Sequence, residues 1–253
     1  MPHVPLRVHI VPMGFEEDRV TMPAIGMKAE LVVVLANLAS ADKAGRFRAS
    51  VQARLRSSGI PIEVVRAPIF SVGETLSTFL RVIREHREDQ VYVNISAGSK
   101  IQAIAGLLAA MIVRSEGIPV RVYYVEPEKY TDDPPETPIS RGLRQILEIP
   151  ALTLPTPNPT LTRALHLLAE RPHSKWELAT TLAAEGVLDK AKIGTNGRAR
   201  DERARVSLQA SVDARVIQPL LELGYASVSK QGRKVVVTLS RQGRDACMLL
   251  VTG

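Results

Sequence analysis

Seven residues in the middle of the first half, Asn94, Ile95, Ser96, Ala97, Gly98, Ser99 and Lys100, carry the residue types best suited to chemistry in this chain. They sit between a β-branched run at 91–93 and an apolar helical stretch at 101–116 that ends at Gly117. A turn from strand to helix leaves backbone N–H groups and a positive helix end facing outward, which suits a phosphate. Ser96, Gly98 and Ser99 let a ligand come close to the backbone, and Lys100 adds a full charge where the dipole already favours an anion. The same pattern also serves as an ordinary strand-to-helix connection in an α/β protein. A second stretch, Pro12-Met13-Gly14-Phe15 followed by Asp18 and Arg19, comes after the first strand candidate, and Gly14 permits a tight turn there.

The elements that must position these two loops alternate. Strand candidates lie at 6–11, 31–36, 62–66, 90–95 and 120–125, and helical stretches at 44–57, 73–86 and 101–116. The strands are mostly β-branched without strict alternation, as expected of a parallel sheet covered by helices on both faces. In open sheets of this kind ligands bind beyond the carboxyl ends of the strands, where the strand order reverses. With the common order 3-2-1-4-5, that point lies between strands 1 and 4, and the two loops follow those two strands. Their chemistry is therefore expected to converge.

Residues 127–159 are broken by prolines, with a short helix expected at 141–148, a short strand or extended strap at 151–154, and a semi-rigid proline-rich linker closing the segment. Three parts are read: 1–150, a linker at 151–159, and 160–253. The last part has a different ground plan of helix, helix, helix, hairpin, helix. Leu161, Leu165 and Leu168 mark one apolar face, Ser174 and Glu177 form a capping-box pattern, 189–197 reads as a loop, and 200–223 as a longer helix. Two alternating runs around Lys230-Gln231-Gly232-Arg233 read as a hairpin. This is the order of a winged helix-turn-helix, whose recognition helix enters the major groove. The charge agrees: the chain carries a net +7, and residues 156–253 hold +6 of it. The candidate DNA-contacting residues are Arg198, Arg200, Arg203 and Arg205 at the start of the long helix, and Lys230, Arg233 and Lys234 at the wing. An arginine-rich solvated surface is the plainer reading of the same residues.

Other functions are disfavoured. A single cysteine, Cys247, excludes an internal disulfide and the usual zinc clusters and fits a reducing cytoplasm. The N-terminal residues lack a signal-peptide pattern, and no apolar run is long enough to span a bilayer. Neither G-x-G-x-x-G nor a Walker lysine pattern is present, which disfavours a classical NAD or ATP enzyme, and His3, His9, His166 and His173 have no metal spacing among them, so no cofactor or metal is expected. Arg81 and His86 have the Arg-x4-His spacing of HEPN ribonucleases, but they fall inside a helix between two strands of the sheet.

The two loops together resemble the signatures of CARF domains, the CRISPR-associated Rossmann-like sensors, and the 160–253 part resembles the winged-helix half of archaeal CARF transcription regulators. The second CARF motif usually reads Asn-x-Thr/Ser-Gly-Gly-Thr/Ser-Lys, and this chain departs from it at Ala97. The resemblance implies a CARF Rossmann-like fold, mainly parallel with helices on both faces, followed by a winged helix-turn-helix. It also implies a cytoplasmic homodimer that binds double-stranded DNA. A cyclic oligoadenylate, most often cyclic tetra-adenylate, would lie in the dimer crevice as the effector. Ser96, Ala97, Gly98, Ser99 and Lys100 would hold phosphate and ribose, with Asn94 at the strand end. Met13, Gly14 and Phe15 would lie beside the ligand, and Asp18 and Arg19 near them. The expected activity is transcription regulation of CRISPR or related antiviral defence genes. The alternative is a metal-independent ring nuclease in which a ribose 2′-hydroxyl attacks its own phosphodiester, aided by Lys100 or Arg19.

Overall fold

A computed structural model describes the chain apart from residues 1–2, 40–42, 69, 132–136, 155–156, 190–198, 233 and 251–253. It divides into two compact units, Met1–Pro155 and Thr156–Thr252. The first alternates β1 (Arg7–Pro12), α1 (Asp18–Gly26), β2 (Leu31–Ala36), α2 (Gly45–Ser57), β3 (Ile62–Arg66), α3 (Val72–Glu85), β4 (Gln90–Asn94), α4 (Lys100–Ser115) and β5 (Val120–Glu126). A small antiparallel hairpin, β6 (Lys129–Tyr130) and β7 (Ser140–Arg141), and an edge strand, β8 (Gln145–Ile149), complete it.

The six-stranded sheet has the order β3-β2-β1-β4-β5-β8, parallel except for β8. The reversal expected between strands 1 and 4 is present: β1 pairs with β2 on one side (Val8 opposite Leu31) and with β4 on the other (Arg7 opposite Gln90). β1 and β2 are buried almost throughout, which explains their lack of apolar–polar alternation. One face packs Val11, Val32 and Val34 with Val20 of α1 and Phe47, Val51 and Leu55 of α2. On the other face Phe79 of α3 and Val93 of β4 close over Gly106 of α4, where a Cβ would meet them at 3.0 and 3.2 Å.

One expectation needs correction, one is decided between its two alternatives, and one element was not foreseen. The short helix expected at 141–148 is strand: Gln145–Ile149 runs antiparallel to β5, with Val122 opposite Ile149. The open edge of β5 supplies hydrogen-bond partners that a local helix pattern does not reveal. The segment 151–154 is an extended strap that joins no strand among the described residues; the Leu154 amide donates to Met111 O at 3.0 Å, and Ala151 is buried. Finally, α1 begins at Asp18, so the second loop ends in a helix that the sequence pattern, with Pro23 inside it, did not suggest.

His9 lies fully buried in the middle of β1. Its Nδ1 is 2.8 Å from the Tyr123 hydroxyl, and its ring stacks on Tyr92 with centroids 4.9 Å apart. Burial, with a smaller contribution from Arg7, lowers its pKa from 6.5 to about 4. The unfolded chain therefore binds a proton near pH 6.5 that the folded chain refuses until about pH 4, and stability falls as pH drops through that window. The loss amounts to about 3 kcal/mol at most. Chemical denaturation between pH 7 and 4.5 should show this decline, and His9→Gln should flatten it.

The second unit comprises α5 (Pro159–Glu170), β9 (His173–Ser174), α6 (Lys175–Ala184), α7 (Glu202–Val212), a π-helical turn (Asp213–Ile217), α8 (Gln218–Glu222), β10 (Ala226–Gln231), β11 (Lys234–Leu239) and α9 (Arg241–Leu250). The expected capping box is present: the Ser174 hydroxyl accepts from the Glu177 amide at 3.2 Å, and the Ser174 amide donates to the Glu177 carboxylate at 2.8 Å. The helix expected at 200–223 starts at Glu202 and passes through the π turn before α8; Pro219, without an N–H, cannot continue a regular ladder there. β9 was not foreseen. It adds to β11, Ser174 opposite Val236, and makes the wing three-stranded. Leu161, Leu165, Leu178, Leu182, Leu208, Val212, Leu220 and Val237 form the core. Most of the loop expected at 189–197 lies outside the described residues.

Candidate functional site

The two loops after β1 and β4 meet backbone to backbone. A Cβ on Gly14 would fall 2.9 Å from the Gly98 nitrogen and 3.0 Å from its Cα, so any side chain at Gly14 would push the loops apart. Gly98 has φ +79°, and a Cβ there would strike Pro12 Cβ at 2.8 Å and Gln102 Oε1 at 2.7 Å. Glycine is required at both positions, once for space and once for space and backbone conformation.

The turn at 96–100 is held from within. Asn94 is fully buried; its Nδ2 donates to Arg19 O at 2.9 Å, and its Oδ1 accepts from the Ser96 amide at 2.8 Å. The Ser96 hydroxyl accepts from the Val125 amide. Ser99 caps α4: its Oγ accepts from the Gln102 amide at 3.1 Å, and its own amide donates to Gln102 Oε1 at 2.9 Å. The Ala103 amide closes onto Ser99 O. Of the four amides at the start of α4 without an intrahelical partner, those of Ser99, Lys100, Ile101 and Gln102, the capping box takes up the first and last, leaving among the described residues the Lys100 and Ile101 amides at the helix end. The Lys100 side chain is exposed beside them. An anion arriving here would find two amides, the helix dipole and an ammonium group.

The residues named from sequence separate into two roles. Gly98, Ser99 and Lys100 form the open helix end. Met13 and Ala97 are buried, 4% and 2% exposed, in the core beneath α1 and α2, so their side chains support the loops from below. Phe15 stacks edge-on against Phe47, with centroids 5.6 Å apart. Asp18 accepts from Arg54 Nη1 at 2.7 Å and from the Gly142 amide at 2.9 Å. Burial alone would raise the Asp18 pKa, but the Gly142 amide and Arg54 outweigh it and hold the carboxyl below its ordinary value.

Arg19 is buried and held as a strut between elements. It is 5% exposed, donates from Nε to Val125 O at 2.9 Å and from Nη1 to Glu16 at 3.0 Å, and lies 4.7 Å over the Tyr124 ring. Glu16 in turn accepts from the Ser140 hydroxyl at 2.6 Å. Ile139 donates its amide to Phe15 O at 2.9 Å. Phe15, Glu16 and Asp18 thus bind the β6–β7 hairpin at Ile139, Ser140 and Gly142. This latch, and Gln102, were missed from the sequence. The Ser99-x-x-Gln102 capping box was the available signal for Gln102; nothing local marked the hairpin. Among the described residues, Arg19 Nη2 and Gln102 Nε2 are buried donors without a partner.

The Arg81–His86 pair does not form a site. Arg81 pairs with Glu85 at 2.8 Å, while His86 faces Asp89 at 2.9 Å. Asp89 also takes His3 at 2.8 Å and the Leu6 amide at 3.0 Å, a cluster that ties the start of β1 to the end of α3.

In the second unit, Arg203 and Arg205 are exposed on α7, Arg200 lies just before its N-cap Asp201, and Lys230 and Lys234 are exposed on the hairpin strands. Arg198 and Arg233 lie outside the described residues. Arg205 sits 5.7 Å over the Trp176 ring. A depression of about 480 Å³ runs between α6, α7 and β11, with Lys175, Trp176, Arg205, Gln209 and Lys234 among its lining.

Residues 7–130 match a family model described as HFX_2341_N-like, N-terminal. Residues 161–250 match the DUF6293 C-terminal winged helix domain. The two matches and the observed topology bear out a Rossmann-like domain followed by a winged helix. A relative from Methanocaldococcus jannaschii, the uncharacterized protein MJ1513, is 32% identical over 131 residues, covering 49% of this chain and 39% of the relative. This chain therefore spans well under half the length of that curated relative. Among solved structures, Can2 from Sulfobacillus thermosulfidooxidans in complex with cyclic tetra-adenylate is 14% identical with a TM-score of 0.41, over 95% of this chain and 61% of that one. Enterococcus italicus Csm6 bound to cyclic hexa-2'-fluoro-hexa-dAMP is 13% identical with a TM-score of 0.43, over 86% and 56%. Among the described residues no helix is long and apolar enough to cross a membrane.

The glycine contact makes a direct prediction. Gly98→Ala should lower stability by about 1–2 kcal/mol from its left-handed backbone alone, and more from the collision with Pro12. Lys100→Ala, on the exposed helix end, should change stability by less than about 0.5 kcal/mol. Parallel denaturation curves of the two variants check both.

Proposed function

We propose that this chain, which couples an HFX_2341_N-like domain of Rossmann-like topology to a DUF6293-type winged helix, is a ligand-responsive DNA-binding transcription regulator of CRISPR or related antiviral defence genes. The observation that carries the reading is the Gly14–Gly98 contact at the strand-order reversal, beside the α4 end and Lys100. It makes an anion site in a chain whose other unit is a basic winged helix. The effector is a cyclic oligoadenylate, with cyclic tetra-adenylate the favoured ring, held across a cytoplasmic homodimer.

The ligand's repeated phosphodiesters suit a site built of backbone amides and one ammonium group. A ring with two-fold symmetry suits an isologous dimer, in which each subunit offers the same patch. Gly98, Ser99 and Lys100 would take phosphate and ribose, while Asn94, Ser96, Asp18 and Arg19 hold the loops in place. Differential binding to two dimer arrangements would then change the spacing of the two α7 helices on DNA.

Titration of the full chain with cyclic tetra-adenylate should show binding that Lys100→Ala weakens about 10- to 100-fold, the worth of one charge-assisted hydrogen bond. Unchanged affinity would move the site elsewhere. Chromatography of the incubated ligand should return it intact; rapid linear product would favour the ring-nuclease alternative. Duplex DNA binding should fall by roughly five orders of magnitude between 50 and 200 mM salt if about five cations per subunit, or about ten per dimer, meet phosphates. No binding even at low salt would overturn the regulator reading.

A further inference from the structure

The DNA-binding reading leaves open which side chains read sequence, and α7 answers through its exposure pattern. Leu208 and Val212 of this helix are buried in the core, while Arg203, Val206, Ser207 and Ala210 are exposed. Their spacing of three, four and seven residues puts those four on one outward face. Val206 is 57% exposed although β-branched and apolar. Single exposed apolar side chains are common on surfaces and need no explanation alone. This one differs in its setting. Arg203 lies one turn before it, Ser207 and Ala210 beside and beyond it are short, and Arg200, Lys230 and Lys234 supply exposed positive charge in the same unit. The Asp201 side chain accepts from the Ala204 amide at 2.7 Å and fixes where the helix begins. Arg205 is turned toward Trp176 and so belongs to a different flank of the helix.

We infer that the outward face of α7 reads base edges in the major groove, with Val206 against the C5-methyl of a thymine and Arg203 on a neighbouring guanine; this rests on the DNA-binding function proposed above. The short side chains of Ser207 and Ala210 allow the helix to approach the groove floor. Apolar contact distinguishes thymine by its methyl group, and arginine pairs with guanine O6 and N7. Three residues of helix rise about 4.5 Å, close to the roughly 3.4 Å between stacked base pairs, so the two side chains fall on adjacent pairs. The preferred half-site therefore contains a guanine next to a thymine.

The experiment is selection of duplexes from a random pool by the full chain, followed by replacement of each thymine by deoxyuridine in the selected duplex. At one thymine adjacent to a guanine, loss of the methyl should weaken the wild-type chain about fourfold, the worth of one methyl group removed from water. Val206→Ala should lose that sensitivity, and Val206→Thr, which keeps a methyl, should retain it. Arg203→Ala should relax selection at the neighbouring guanine. Binding of an unselected duplex by the Val206 variants should match wild type, since no phosphate contact changes. If uracil substitution affects wild type and Val206→Ala alike at every position, or if no sequence is enriched, the assignment is overturned while salt-dependent DNA binding stands. Absence of duplex binding at low salt would overturn both.

Discussion

The close approach of Gly14 to Gly98 is the constraint on which the candidate site depends. β1 and β4 are neighbours only because the sheet reverses its order between them, and the loops that follow both strands are therefore forced into one space. With no side chain on either glycine, the two backbones close to contact, and the helix end of α4 is left facing outward beside them. A side chain at either position would open the gap, tilt the turn at 96–100, and disturb the Ser99–Gln102 capping box that holds it.

Around this contact the polar residues tie the loops to their neighbours. Asn94 links β4 to α1, Ser96 links it to β5, and Arg19 spans from α1 to β5 while engaging Glu16. Glu16 and Asp18 then hold the β6–β7 hairpin. The arrangement explains why so many hydrogen-bonding side chains crowd a loop of modest size. Buried donors and acceptors are costly to leave unpaired, and most of those here find partners on different strands, so satisfying them also sets the loops' positions.

The winged helix rests on a different principle. Its core is aliphatic, with Leu161, Leu165, Leu178, Leu182 and Leu208 among its members, and it keeps charge to the outside. Burying Leu208 and Val212 rotates α7 so that Arg203 and Val206 must face outward. Packing on one side of the helix thus decides which residues are available to a partner on the other.

Much of this was legible in the residues alone. The β-branched runs and glycine stops located β1 to β5, because local periodicity and backbone preference act over a few residues. Ser174 and Glu177 announced the capping of α6, and the proline-broken charge boundary announced a change of fold. Ser99 and Gln102 carried the same signal without being read. What only tertiary structure decided are the features that depend on distant partners. The segment 145–149 became a strand because β5 had an open edge, Arg19 became a buried strut because Val125 O and Glu16 surround it, and Met13 and Ala97 turned inward because α1 and α2 cover them. Residue types and spacing determined that a glycine-containing strand-to-helix turn and a basic winged helix exist. Which of their side chains face out is set by burial against neighbours far away in the chain, and no local pattern contains that information.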